Sequence, residues 1–218
     1  MRALIEANPH HNNLLISAVI LAAGASRRMG QPKMLLPWGD TTVIGQVVRT
    51  VLTSGAVRPV VVTGRSSQEV QEALRGLPVY FAHNPGYATN EMLQSLQIGI
   101  ASLPGEAAAF LVVLGDQPQI EGEVIAQVCR EFQAGGAALI IPSYQMRRGH
   151  PWLVTEALWA ELLSLPATAT LRQFLNQHAG EIHYLNVDSP SILMDLDTPE
   201  EYARQKPGFD AAVRKDEP

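Results

Sequence analysis

The run Leu21-Ala22-Ala23-Gly24-Ala25-Ser26-Arg27-Arg28-Met29-Gly30-Gln31-Pro32-Lys33 holds residue types suited to phosphate. Small side chains at 22–26 let the backbone come close to a ligand, and its N–H groups can form a nest for phosphate oxygens. Arg28 can fork onto two such oxygens, and Lys33 adds a point charge further along. The spacing is neither a GxGxxG fingerprint nor a P-loop lysine motif. Asp116 follows the apolar run 110–114, which places it at the carboxyl edge of a strand, where open α/β sheets bind ligands. Its alternative role is a turn aspartate ahead of Gln117-Pro118. Asp197 is either a ligand at the same edge or the N-cap of a helix, for which Thr198, before Pro199, is an equally good cap. Arg147-Arg148-Gly149-His150-Pro151 is a second basic segment. Its arginines suit another phosphate and His150 suits a heterocycle, unless the segment is only a basic hairpin tip.

The elements that must carry these residues are legible as an alternation. Residues 14–21 and 57–63 are rich in β-branched side chains, with shorter runs at 111–114 and 139–141. Runs apolar on both faces suit strands of a parallel sheet covered by helices on either side. Between the first two, Val43, Ile44, Val47, Val48, Val51 and Leu52 make one helical stripe that Gly55 ends. Ser66 with Glu69 three residues later predicts a capping box on a helix running to Gly76. Residues 91–102 predict another helix, with Met92, Leu96 and Ile100 at spacing four; Met92 and Leu96 are read as core. Ser95 on that helix is a candidate polar contact, or else bonds back to its own turn. Residues 121–133 form a further helix. Beyond Pro142 the pattern reads as an extended segment or hairpin over 144–154, helices around 155–164 and 168–177, a strand over 182–187 and a last helix after Pro199. The expected organisation is one α/β domain over 14–205, with an N-terminal extension at 1–13 and a tail at 206–218.

Composition narrows the partners. The chain has 218 residues, 46% apolar and 17% charged, enough for one continuous core and incompatible with global disorder. A net charge of -5 argues against a generic nucleic-acid or anionic-membrane binder. The apolar stretch 14–23 falls well short of the roughly 20 residues of a membrane helix, and the polar leader lacks an h-region. The single cysteine, Cys129, excludes an intramolecular disulfide and suits a reducing cytoplasm. His10-His11, His83, Cys129, Trp38 and Trp152 are read as solvated or structural residues.

Leu-Ala-Ala-Gly-x-Ser-x-Arg-Met-Gly-x-x-Lys over 21–33 resembles the signature of the small nucleotidyltransferases that make molybdenum cofactor dinucleotides. This is the MobA-like nucleotidyltransferase family, and within it the cytidylyltransferases are the nearer match. The resemblance continues in Asn84-Pro85, Glu91-Met92-Leu93-Gln94-Ser95-Leu96, Leu114-Gly115-Asp116-Gln117-Pro118, the 147–151 segment and Asp195-Leu196-Asp197-Thr198-Pro199-Glu200. It implies a glycosyltransferase-A-like Rossmannoid fold, a mostly parallel central sheet with helices on both faces. It also implies Mg2+-dependent transfer of CMP from CTP, or of another nucleotide, to a molybdopterin-type acceptor, releasing pyrophosphate. A molybdoenzyme would then receive the product.

By the same resemblance Arg28, Lys33 and Asp116 are the catalytic set. Leu21, Ala22, Ala23, Gly24, Ser26 and Ser95 join them in binding the nucleotide; Arg148, Gly149 and His150 bind the acceptor; Asp116 and Asp197 hold Mg2+. Two carboxylates suffice for that ion when phosphate oxygens and waters complete its shell. Glu91 departs from the family form, which has glycine before the methionine. Ala23 stands where guanylyltransferase relatives carry glycine, which predicts a preference for CTP over GTP. Two other readings remain: a relative that uses another nucleotide with a phospho-sugar or phospho-alcohol, and a pterin cofactor carrier without turnover.

Overall fold

The computed structural model describes residues 14–88, 92–135 and 137–208. The predicted 1–13 extension, His10-His11, Glu91 and most of the 206–218 tail therefore lie outside the described residues. In chain order the strands are β1 (Ile16–Ala22), β2 (Pro37–Trp38), β3 (Thr41–Thr42), β4 (Val60–Thr63), β5 (Tyr80–His83), β6 (Ala109–Leu114), β7 (Leu139–Tyr144), β8 (Arg147–Arg148), β9 (Trp152–Thr155) and β10 (Ile182–Asn186). The helices are α1 (Val43–Thr53), α2 (Ser67–Ala73), α3 (Met92–Ala101), α4 (Gly122–Gln133), α5 (Trp159–Ser164), α6 (Leu171–Gln177) and α7 (Pro199–Gln205).

The main sheet runs β10-β7-β9-β6-β1-β4-β5, with β8 paired to β7. Neighbours are parallel except β9, which runs against both β6 and β7, and the short β8. This is the expected α/β architecture with a mostly parallel sheet. β1 shows why its sequence is apolar at every position. Ile16, Ala18, Ile20 and Ala22 enter one core with Val47, Val51 and Ile125, while Val19, Leu21 and Ala23 enter the other with Leu93, Leu96 and Phe174. A period of two thus buries both faces, under α1 and α4 on one side and α3, α5 and α6 on the other.

Local signals held where a side chain had one clear job. Thr42 caps α1 by accepting from the Gly45 N–H at 3.1 Å, and Gly55 leaves that helix at φ +105°, a conformation that suits glycine. Three expectations need correction. The strand begins at Ile16, and Leu14 and Leu15 are exposed. The capping box at Ser66 does not form: its side chain makes no cap bond, and Ser67 instead lies 2.8 Å from the Thr63 hydroxyl. Met92 is not core but 44% exposed. Leu96 and Ile100 of the expected stripe are buried, but Leu93 takes the place of Met92 at its start, and Gly99 lies close against Val19 and Val62 on the same face.

One bridge between helices is sensitive to pH. His178, at the end of α6, lies 2.9 Å from Glu161 of α5 through Nε2 and 3.0 Å from Glu181 through Nδ1. The Glu161 hydrogen bond, helped by Glu181, outweighs partial burial and raises the imidazole above its usual range. A raised folded-state value means stability that is complete below about pH 6.5, the unfolded histidine value, and is lost as pH rises through the folded one. The melting-temperature gap between wild type and His178→Asn is therefore expected to narrow from pH 6 to pH 8; a gap that stays constant would remove the bridge from the stability balance.

Candidate nucleotide and metal site

Register brings the distant chemical segments to one edge. Leu21 of β1 lies beside Leu114 of β6, and the next step of that ladder is the Gly115 N–H donating to the Leu21 carbonyl at 3.0 Å. A β-carbon at 115 would sit 2.9 Å from that same oxygen, so a glycine lets Asp116 leave the sheet beside the 22–33 loop. The Leu196 N–H donates to the Asp116 carbonyl at 3.1 Å and stitches the 195–197 segment to the same edge. Met29, Leu36, Trp38, Val43 and Leu196 then form a small apolar cluster that pins the loop against that segment.

The convergence is chemical as well as spatial. The Lys33 ammonium donates to Asp116 Oδ2 at 2.5 Å and to Asp197 Oδ1 at 3.1 Å. Arg28 holds the other Asp197 oxygen at 2.5 Å. Lys33 is 8% exposed, while the Arg28 side chain is 70% exposed. Burial pulls the lysine down, but Asp116 and Asp197 outweigh it and leave the ammonium above its ordinary range. Burial raises the Asp197 carboxyl, yet Lys33 and Arg28 bring it below the usual range. Asp195 goes the other way, pushed up by burial and then by the charges of Asp197 and Asp116.

Asp197 has a further support. The Glu201 carboxylate accepts the N–H groups of Asp197 and Thr198, both at 2.9 Å. Thr198 returns a bond to the Glu201 N–H in a capping box on α7. The cap is therefore Thr198, which leaves the Asp197 carboxylate free for the cations.

A cavity of about 330 Å3 opens here. Of the residues expected from sequence, it gathers Leu21, Ala23, Gly24, Lys33, Ser95, Asp116 and Asp197. Ser26 and Arg28 line an adjoining cleft with Lys33 and Asp197. Ser26 sits at φ +50° and its hydroxyl accepts the Lys33 N–H at 3.2 Å, bracing the loop across its width. Ala22 opens instead onto a cleft beside Arg65 and Ser66.

The 147–151 segment forms a two-residue hairpin with Gln145 and Met146 at φ +48° and +64°, the type I′ geometry. None of Arg148, Gly149 or His150 lines the cavity. Arg148 lies over the Tyr184 ring at 5.2 Å. Gly149 packs so closely on Ile192 that a β-carbon would fall 2.3 Å from its carbonyl oxygen. His150 stacks on Trp152 at 4.6 Å, and enclosure lowers its pKa to about 4, so it is neutral at pH 7. The two rings also carry polar atoms, His150 Nε2 and Trp152 Nε1, that are buried without a partner.

Sequence reasoning gave no role to Tyr87 or Asp195 and read Met92 as core; all three line the cavity. The spacing Asp195-x-Asp197 was a usable signal, because Leu196 between them is fully buried and turns both carboxylates away from the core. Tyr87 had no such signal. Burial holds the Cys129 thiol up at about 11, which keeps it unreactive.

The donor set suits a hard divalent cation. Asp116, Asp195 and Asp197 bring three carboxylates to one cavity against the two positive charges of Lys33 and Arg28. Among the described residues no three His, Cys, Asp or Glu side chains close on a point by themselves. A divalent cation held here would therefore need phosphate and water oxygens to complete its shell.

Comparison with known proteins gives this geometry a family. Residues 18–182 match the MobA-like NTP transferase domain. The chain is 28% identical to the molybdenum cofactor cytidylyltransferase of Escherichia coli (strain K12) over 88% of its own length and 95% of that protein's. It is 29% identical to the nicotine blue oxidoreductase of Paenarthrobacter nicotinovorans, covering 87% and 95%. Among solved structures it resembles Rv0371c from Mycobacterium tuberculosis H37Rv, with a TM-score of 0.76, 26% identity and 88% and 97% coverage; that protein is also solved in complex with manganese. A nucleotidyl transferase from Methanothermobacter gives a TM-score of 0.75 at 26% identity, covering 89% and 97%. With a family model that matches most of the chain, from β1 through the 147–151 hairpin to the start of β10, the chain belongs to the MobA-like NTP transferase family and is a nucleotidyltransferase.

Proposed function

We propose that the protein transfers CMP from CTP to the molybdopterin form of molybdenum cofactor, giving the cytosine dinucleotide and pyrophosphate with Mg2+. The observation that carries this reading is Lys33 bridging Asp116 and Asp197 beneath the 21–28 loop. In-line attack on an α-phosphate needs positioning and charge neutralisation more than a covalent nucleophile. Arg28 and Lys33 exchange their carboxylates for phosphate oxygens when the triphosphate enters. Arg28, on the exposed side, takes the outer phosphates, and Lys33, in the interior, takes the α-phosphate. Asp116 and Asp197, with Asp195 beside them, would hold the divalent cation, which would supply Lewis-acid neutralisation of the phosphates. The apolar wall of Leu21, Ala23, Tyr87 and Leu114 receives the base.

For the acceptor, the 147–151 hairpin stands at the same sheet edge. β9 runs against β6 with Trp152 beside Val112, so His150 precedes it toward the Asp116 end. Arg148, exposed on that hairpin, offers charge to the acceptor's phosphate.

The test is pyrophosphate release on mixing the protein with Mg2+, molybdopterin-form cofactor and equal CTP and GTP, with products identified by mass. A cytosine dinucleotide in at least ~10-fold excess is expected, the size of a steric misfit at a base pocket. A dominant guanine product would overturn the cytidylyl reading. Release only with a phospho-sugar or phospho-alcohol would overturn the acceptor.

A further inference from the structure

Asn84 is 1% exposed and spends every polar atom it has. Its N–H donates to the Thr63 carbonyl at 2.9 Å, extending the β4–β5 ladder by one step. Its side-chain Oδ1 accepts the Gly86 N–H at 2.9 Å, which folds residues 84–87 into a turn and delivers Tyr87 to the cavity wall. Its Nδ2 lies 2.9 Å from the Ser95 hydroxyl oxygen. The orientation of the amide is fixed by its neighbours, since a backbone N–H can only donate and so must face the oxygen. The NH2 group is left facing Ser95, and Ser95 Oγ is forced to accept.

That settles what Ser95 can do. A hydroxyl has one hydrogen to give. Ser95 is 7% exposed and lines the cavity, and among the described residues nothing accepts its hydrogen. From this we infer that Asn84 is a specificity-determining positioning residue. By holding Ser95 as an acceptor on its buried side, it makes Ser95 a donor toward the cavity, so the ligand atom that meets it must be an acceptor.

This deepens the nucleotide reading and rests on it. Cytosine presents two adjacent acceptors, the O2 carbonyl and N3. Guanine presents N1–H and N2–H donors on the corresponding edge, and a donor facing a donor leaves both unpaired. The discrimination thus comes from hydrogen-bond polarity and adds to the steric effect of Ala23. Asn84 need not touch the nucleotide to exert it.

Asn84→Asp keeps an oxygen for the Gly86 N–H but offers Ser95 a second acceptor, which draws the hydroxyl hydrogen inward. Ser95→Ala removes the hydroxyl and keeps Asn84. Binding of CTP and of GTP to the full chain, with Mg2+ and no acceptor, is measured by calorimetry for wild type, both single variants and the double variant. Each single variant is expected to lose about ten-fold in CTP affinity, the scale of one hydrogen bond to a polar partner, with GTP changed less than three-fold. In the Ser95→Ala background, Asn84→Asp is expected to change CTP affinity less than two-fold further. If Asn84→Asp does not fold, the CTP-to-GTP ratio of Ser95→Ala decides alone. An unchanged ratio, or a full Asn84→Asp effect without the hydroxyl, would overturn the assignment and leave Asn84 a turn residue. A wild type that binds neither nucleotide would instead overturn the nucleotide reading, and this assignment with it.

Discussion

Asp116→Asn is expected to slow pyrophosphate release by about a thousand-fold or more while the chain still unfolds cooperatively. The side chains are isosteric, and an asparagine oxygen can still accept from Lys33, 2.5 Å away, so the local packing survives. What is lost is one full negative charge at the point where a divalent cation and the triphosphate must be held together. Removing a single preorganised electrostatic group costs on the order of 10²–10³ in turnover, and loss of a metal ligand adds to that. The check is a pyrophosphate-coupled rate across a Mg2+ titration, beside a thermal melt. Activity near wild type at ordinary Mg2+ would remove Asp116 from the reaction centre.

Lys33→Ala is expected to produce two opposite changes in one protein. Turnover falls roughly 10²–10³-fold, because the α-phosphate loses a fixed positive charge. Affinity for the cation alone rises, because Asp116 and Asp197 lose the ammonium that lies between them. A unit charge at ~4 Å is worth about 4 kcal/mol at an effective dielectric near 20, so even a partial release is measurable. Mn2+ titration without nucleotide reads the second change directly and needs no turnover. A variant that binds Mn2+ no better than wild type would show that Lys33 does not compete with the cation. Both effects follow from burial: Arg28 also holds Asp197, but from a side chain open to water, where the same charge is screened.

Much of the scaffold was legible because burial imposes a period. The doubly apolar β1, the α1 stripe and its Gly55 stop follow from side-chain alternation and from one backbone conformation. The misses share a different cause. Met92 carries a core-type side chain at the first residue of α3, where Leu93 rather than Met92 turns to the sheet. Ser66 had the right spacing for a cap, but the neighbouring Ser67 found Thr63 first. The 22–28 loop and Asp116 were recognisable from their types and their places after strands, and Asp197 from its place ahead of α7. Tyr87 was not, because an Asn84 side chain folds the turn that delivers it. Asp195 had no role in the sequence reading because its environment is set first by burial and then by the charges of Asp197 and of Asp116, a segment nearly eighty positions away.

β9 is the one long strand that runs backward, lodged between β6 and β7. The six strands β1, β4, β5, β6, β7 and β10 run the other way and end on the side of the charged edge, whereas β9 begins there. The two kinds of connection are free to vary separately. A longer or shorter hairpin ahead of β9 leaves the β1–β6 register, and so the spacing of Lys33 from Asp116, untouched. Where the hairpin receives the second substrate, as proposed, such a scaffold could change what it accepts without rebuilding what it activates, a route to new second substrates by loop exchange. On that proposal the hairpin is the place to graft when redirecting the protein to a different acceptor.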